Sequence, residues 1–353
     1  MKTRTQIVFV ALALHAVLNS QPSTAFAQGT LSPPGPPAPA MKSLDQIEPR
    51  TPIASLPFNV TNAGSYYLVG DLSGVAGSNG ITVAASDVAL DLRGFSLRGV
   101  AGAGAGVLVS GLRSNLWIHG GTIRNWPTNG IQASSVELGR FQNLHLMNNG
   151  VAGLLAGNQA MVESCQASGN SSHGFLIGSI SEVRDCIARD NFGDGFNVGG
   201  ASVITGCVAD KNDDGIDLTI GSVASGCVVN GNTNGIRTAS RSTVIGCNAS
   251  DNHVDGIVIP DNGYSLLLNN TCALNGGAAI HAGSIAVGTR IEGNTIITSG
   301  YGIRVEVAGN LIIRNSARDN GTNYFIVTGN SVGPTNTAAT ILTNNNPNAN
   351  FSF

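Results

Sequence analysis

The sequence is short of charge and of aromatic rings: of 353 residues, 11% are Asp, Glu, Lys or Arg and 5% are Phe, Trp or Tyr. Together with 42% hydrophobic residues, that scarcity of charge excludes a solvated, disordered polyelectrolyte. Basic runs are missing and the formal net charge is −3, so there is no phosphate-neutralising footprint and no nucleic-acid partner is expected. The six cysteines include no Cys-x-x-Cys pair, the spacing a zinc site would favour. Thirteen prolines without a Gly-X-Y period exclude collagen. In place of these features the chain has 47 glycines and 36 asparagines, residues that supply the left-handed backbone states of tight turns. Length alone suggests two or three domains, a prior that the repeat described below revises.

The first 27 residues read as a secretory signal peptide. Lys2 and Arg4 make a basic start, Ile7 to Leu18 an apolar run, and Ala25-Phe26-Ala27 a small-x-small cleavage site. A run of about 12 apolar residues is too short to span a bilayer of roughly 30 Å, so no membrane span is expected in the mature chain. The expected localisation is secreted or cell-surface. Losing Lys2 and Arg4 and no acidic group takes the net charge from −3 to about −5. Residues 28–40, with Ser32-Pro33-Pro34-Gly35-Pro36-Pro37, predict a stiff proline-rich spacer.

The rest of the chain repeats. Cysteines fall at 165, 186, 207, 227, 247 and 272, spaced by 21, 21, 20, 20 and 25 residues. Asparagines follow the first five cysteines by five residues, and Asn149 extends that series backwards. A third series is Gly174-Phe175, Gly195-Phe196, Gly215-Ile216, Gly235-Ile236 and Gly256-Ile257. Each unit holds three short strands alternating at period two, with neither a hairpin signal nor room for a crossover helix. Coils of this kind stack with parallel strands roughly 4.8 Å apart and bury a continuous core. The expectation is an all-β, single-stranded, right-handed parallel β-helix at 61–330, near 60 Å long, with roughly 12–13 short coils. Its two ends need covers, placed at 41–60 and 331–353.

The period, the stacked asparagines and the Gly-Ile-x-Val strands resemble the pectate-lyase-like β-helix superfamily. The opening Met41-Lys42-Ser43-Leu44-Asp45-Gln46-Ile47-Glu48-Pro49-Arg50-Thr51-Pro52-Ile53, with Gly64-Ser65-Tyr66-Tyr67-Leu68 and the ending Asn348-Ala349-Asn350-Phe351, is similar to secreted bacterial β-helix proteins. That resemblance implies the fold and assigns no activity.

The asparagines predict an amide ladder, each a left-handed turn residue bonded to the next coil. An even number of cysteines in a secreted chain suggests disulfides, yet in-register neighbours keep Cβ atoms about 4.8 Å apart, beyond the roughly 3.5–4.5 Å a disulfide wants. A reduced, buried cysteine column is therefore expected.

One row carries possible chemistry. The residues before each Gly-Ile/Phe strand are His173, Asp194, Asp214, Asn234 and Asp255, expected on a solvent-facing turn about 5 Å apart. Asp213 and Asp217 flank the row, and Lys211 and Arg237 are near in sequence. Glycoside hydrolysis uses two carboxyl groups, so Asp194, Asp213 and Asp214 with His173 are the catalytic candidates, and Asp217, Arg237, Asp255 and Lys211 the substrate-binding ones. Asn212-Asp213-Asp214-Gly215-Ile216-Asp217 resembles the aspartate motifs of polygalacturonases, and Ser172-His173-Gly174 their histidine segment, although here the histidine coil precedes the aspartates. Turn preference alone also accounts for Asp-Gly and Asn-Gly at this position. Glu163, Arg184 and Asp185 predict a surface ion-pair ladder. No cofactor and no metal site is expected; stacked aspartates raise calcium without a defined ligand loop to support it. The leading expectation is a secreted glycan-binding or structural β-helix. A polysaccharide-degrading enzyme, a glycosidase or less favourably a lyase, is the alternative.

Overall fold

A computed structural model describes residues 50–353. The expected signal peptide at 1–27, the spacer at 28–40 and residues 41–49 of the expected cover lie outside the described residues. Every regular element among the described residues is a β-strand, and every registered pairing between strands is parallel to a neighbouring coil. One sheet contains 13 strands, from Phe58–Val60 to Thr322–Ile326, and a larger sheet wraps the other two sides of the coil. The described residues thus form a parallel β-helix of about 13 turns, matching the expected number.

A central coil shows the plan. Val203–Thr205 forms the first face, Val208–Asp210 the second and Asp214–Leu218 the third. Side chains alternate along each strand, so Ile204, Ala209, Ile216 and Leu218 enter the core while Asp217 points outwards. The phenyl rings of Phe175 and Phe196 stack inside, their centroids 5.0 Å apart and planes 5° from parallel. Trp126, fully buried, fills the interior nearer the N-terminal end and donates from its indole to Leu97 O at 3.2 Å.

From Ser164 onwards the corners follow one rule. A residue in the left-handed region is followed by a polar or sulfur-bearing residue whose side chain turns inwards. Lys211 (φ 55°) precedes Asn212, Asp185 (φ 53°) precedes Cys186, and Ile180 (φ 60°) precedes Ser181. Each inward side chain is stacked on its copy in the next coil. Asn191 donates from its backbone N–H to Asn212 Oδ1 at 3.1 Å and from Nδ2 to the same oxygen at 2.9 Å. Asn212 in turn donates from Nδ2 to Ala188 O at 3.1 Å and to Asn232 Oδ1 at 3.1 Å. The sequence predicts that the ladder asparagines are themselves the left-handed residues; the structure instead puts that conformation one residue earlier. A serine ladder at the third corner had not been anticipated: Ser181 N donates to Ser202 Oγ at 2.9 Å, and Ser202 N to Ser222 Oγ at 3.3 Å.

The glycine series also has a different origin from turn geometry. A Cβ on Gly215 would lie 2.6 Å from Gly235 O and 2.8 Å from Asn232 Nδ2, so the asparagine ladder leaves no room for a side chain there.

The cysteines are free and buried. Cys165 N donates to Cys186 Sγ at 3.4 Å, and Cys186 N to Cys207 Sγ at 3.4 Å, so the sulfurs act as ladder acceptors. Cys272 leaves the column: Ala249 registers with Cys272, and Asn270 takes the corner, accepting from Cys247 N at 2.9 Å. Burial pushes the Cys272 thiol well above the usual range.

Both ends differ from the expected covers. Thr51–Ile53 and Phe58–Val60 already pair with the coils that follow, so the solenoid begins inside the segment expected to cap it. At the other end Asn350–Ser352 pairs with Ser316–Ala317, and Asn350 Oδ1 accepts from Asn315 N at 3.0 Å, closing the ladder with the chain's own tail.

Because Asn212 serves donors and acceptors in three coils, Asn212→Ala should lower unfolding stability by about 2–4 kcal/mol, each buried orphan costing about 1–3 kcal/mol. Urea unfolding followed by circular dichroism measures it, and a loss below about 0.5 kcal/mol would mean the ladder is passive.

Candidate functional site

Stacking brings most of the predicted row together, but not on an open turn. Asp194, Asp214 and Asp255 are only 8%, 7% and 7% exposed. The correction has a plain cause: these side chains bond backbone N–H groups and amides of neighbouring coils. His173 Nδ1 accepts from Asp194 N at 3.0 Å, and Asp194 Oδ1 from Asp214 N at 3.4 Å. Asp214 Oδ1 accepts from Asn234 Nδ2 at 2.8 Å, Asn234 Oδ1 from Asp255 N at 3.3 Å, and Asp255 Oδ1 from Ala278 N at 2.7 Å. Asp213 is exposed on the turn beside them.

The chemistry gathers where this row meets the outward column of the third face. Leu176, Asn197, Asp217, Arg237, Val258, His281, Arg304 and Phe325 follow one another in register, one per coil. Asn197 Nδ2 bridges two carboxylates, donating to Asp194 Oδ2 at 2.9 Å and to Asp217 Oδ2 at 3.3 Å. Their environments push the two acids apart. Burial opposes charge on Asp194, but hydrogen bonds from His173 and Asn197 outweigh it and hold the carboxyl below its ordinary range. Asp217 has burial and then the Asp194 charge against it, and its carboxyl rises to about 6. Burial also raises Asp214, opposed by the Asn234 hydrogen bond.

His173 Nδ1 lies 3.0 Å from Asp194 N and 3.3 Å from Asp194 Oδ2. The two contacts need opposite protonation of one nitrogen: it accepts from the amide when neutral and donates to the carboxylate when charged. The hydrogen bond with Asp194 raises the imidazole's pKa, against the effect of burial.

Two expectations on binding residues change. Lys211 sits at the preceding corner, and its side chain makes no hydrogen bond or ion pair among the described residues. Asp255 belongs to a second cluster, three coils along the column from Asp217: Asp255 Oδ2 lies 2.7 Å from His281 Nδ1, and Glu306 Oε1 lies 3.5 Å from His281 Nε2. The hydrogen bond to Asp255 raises the His281 pKa. Arg304 pairs with Glu306 and stacks over Tyr301, 5.3 Å from the ring centroid. Arg237 stands beside Asp217 in register, with its charge favouring ionisation of both Asp217 and Asp214.

Sequence reasoning missed Asn197, Phe192, His281, Arg304 and Glu306. Phe192 is 85% exposed on the turn two residues before Asp194. The regular phase of the Gly-Ile-x-Val strands could have found the column residues, since x is always the outward position. Of the expected Glu163, Arg184 and Asp185 ladder, Arg184 pairs with Glu163 at 3.0 Å, but its second acid is Glu182 at 3.4 Å, and Asp185 makes no ion pair among the described residues.

The geometry defines the class: a right-handed parallel β-helix. Residues 76–233 match the family model described as "Right handed beta helix region". The chain is similar to the A-module of Azotobacter vinelandii mannuronan C-5 epimerase AlgE4, with 16% identity over 82% of this chain and 87% of that one, TM-score 0.48. It is also similar to the catalytic domain of a GH87 alpha-1,3-glucanase, with 12% identity over 86% and 62% of the two chains, TM-score 0.45. With pectate lyase Pel9A it shares 17% identity over 76% and 72%, TM-score 0.42. No curated protein matches the sequence. At these identities no residue role or activity passes to this chain.

Asp217 takes up a proton on folding between its ordinary value of 3.8 and about 6, so its cost to stability grows as pH rises through that window and is complete above it. Asp217→Asn should therefore raise Tm at pH 7.5, on the order of 2 °C, and leave it unchanged at pH 3.5. Thermal scans at both pH values test this; an equal shift at both would show that the carboxylate is not the cause.

Proposed function

We propose that the third face binds glycan chains and that the protein works as a non-catalytic carbohydrate-binding β-helix outside the cell. The observation that carries this reading is the outward column Asn197–Asp217–Arg237 followed by His281–Arg304, one hydrogen-bonding side chain at each of these coils. Coils step by roughly 4.8 Å, a spacing at which successive polar side chains can meet successive sugar rings of an extended chain. Phe325, 44% exposed, ends the column, and Phe192, 85% exposed, stands on the turn before Asp194, each an apolar platform for the face of a sugar ring. Coils of 20 or 21 residues from Cys165 to Cys247 build no long loops, and a flat sheet face suits binding along its length better than enclosing one bond.

A hydrolase reading is favoured by one specific observation, the carboxyl pair Asp194 and Asp217, one held below and one well above the ordinary range. Such divergence is how acid and base roles are divided between two carboxyl groups. Two oxygens bonded to one amide nitrogen also suit the separation of about 5–5.5 Å of retaining enzymes better than the roughly 6.5–9.5 Å of inverting ones. In this reading Asp217 is the acid and Asp194 the nucleophile. Asp213, Asp214 and His173 then position Asp194 and the chain around it.

The test incubates the full chain with plant, algal and bacterial polysaccharides, following retention, reducing ends and absorbance of unsaturated products. The binding reading expects retention without product, weakened on the order of tenfold by Phe192→Ala or Arg237→Ala. Reducing ends released by the wild type and lost in Asp194→Asn would replace it with the hydrolase reading, and neither retention nor product on any glycan would remove both.

A further inference from the structure

A second surface runs along the edge between the third and first faces, away from the carboxylate column. Its corner residues occupy the left-handed region, where bulky side chains are disfavoured, yet they include Leu138 (φ 57°), Ile180 (φ 60°) and Tyr264 (φ 56°). All three are well exposed, at 58%, 62% and 60%. A bulky residue at such a site gains nothing from the core, and glycine or asparagine would fit the backbone better. Beside this edge the outward column of the first face is largely apolar, with Met161, Glu182, Val203, Val223, Thr243 and Leu266 in register, one per coil. Met161, Ile180 and Val203 line a shallow depression of about 460 Å³. In a chain with 11% charged residues, four of the six coils along this stripe present an apolar side chain, interrupted by Glu182 and Thr243, a pattern that marks an interaction surface.

The arrangement of its two charges and its smallest residues identifies the occupant. A two-fold axis lying across the stripe between Ala201 and Gly221 reverses the coil direction and maps each column onto itself. Val203 then faces Val223, Met161 faces Leu266, and Ala201 faces Gly221 at the centre, where two backbones can approach closely. Glu182 and Arg241 lie equally far from that axis, on opposite sides. The stripe's one acid on a copy therefore meets the stripe's Arg241 on the other, whose aliphatic stem lies across Ile180 of the first copy. A two-fold interface makes each such contact twice. We propose that the protein forms an antiparallel dimer through this edge, with a second copy of the chain as the partner and the two glycan-binding faces left free. Within one chain Glu182 already contacts Arg184 at 3.4 Å, so the second pairing adds to a charge held in place at the surface.

Sedimentation velocity of the full chain over a concentration series tests the proposal. A dimer is expected for the wild type. Glu182→Lys and Arg241→Glu, each alone, should raise its dissociation constant about tenfold or more, and the double swap should restore it to within about threefold. Val203→Asp should leave a monomer with the wild-type circular dichroism spectrum, the position being exposed. A monomer at all concentrations, a dimer indifferent to Val203→Asp, or a double swap no better than the single changes would each overturn the proposal.

Discussion

Everything in this molecule depends on what the corner amides bond to. Strands of three to five residues satisfy their own backbone groups across the sheet, but each turn between them buries an inward residue whose N–H needs an acceptor. The acceptor is supplied by the same position one coil away: Asn212 for Asn191, Ser202 for Ser181, Cys207 for Cys186. A stacked acceptor, whether asparagine, serine or cysteine, is thus a hydrogen-bonding requirement before it is a packing preference, and it explains why a sequence without disulfides keeps a period of 20 or 21 residues from Cys165 to Cys247. The left-handed residue before each ladder member turns the chain so that the next side chain points inwards, at a backbone cost of order 1–2 kcal/mol wherever that residue is not glycine.

The same constraint places the chemistry. The asparagine ladder leaves Gly215 and its equivalents no space for a side chain, which pulls the following strand tightly onto the corner. The residue before that glycine is then carried inside, where Asp194 and Asp214 accept hydrogen bonds from adjacent coils. The residue two after it points out, and the parallel register stacks Asn197, Asp217 and Arg237 into one line. Asp217 is raised first by its own burial and then by the charge of Asp194, which stacking holds on the neighbouring coil.

The period of Cys165 to Cys247 and of the asparagines was enough to read the fold, because ladder positions tolerate few residue types. The reading went astray where one residue type occupies two environments. Cys272 continues the count of cysteines but sits on a strand, while Asn270 takes the corner, since sulfur and amide oxygen both accept the same N–H. Asp194 and Asp214 look like exposed turn residues because Asp-Gly is a common turn; only the stacked neighbours show that they are buried acceptors. Lys211 is near Asp213 in sequence, but it takes the left-handed corner position and makes no ion pair with Asp213. His281 and Glu306 were invisible because Asp255 lies 26 residues before His281 and His281 lies 25 before Glu306, so the three meet only through the stacking of coils.

The central claim is that stacked side chains, not strand pairing alone, lock the corners. Native-state hydrogen exchange at Asn170, Asn191, Asn212 and Asn232 measures this directly, since these amides lie outside the regular strands. The account predicts that they exchange as slowly as the strand amides of Ile216 and Ile236 and open together with them. Exchange at the asparagines orders of magnitude faster than in the strands would contradict it.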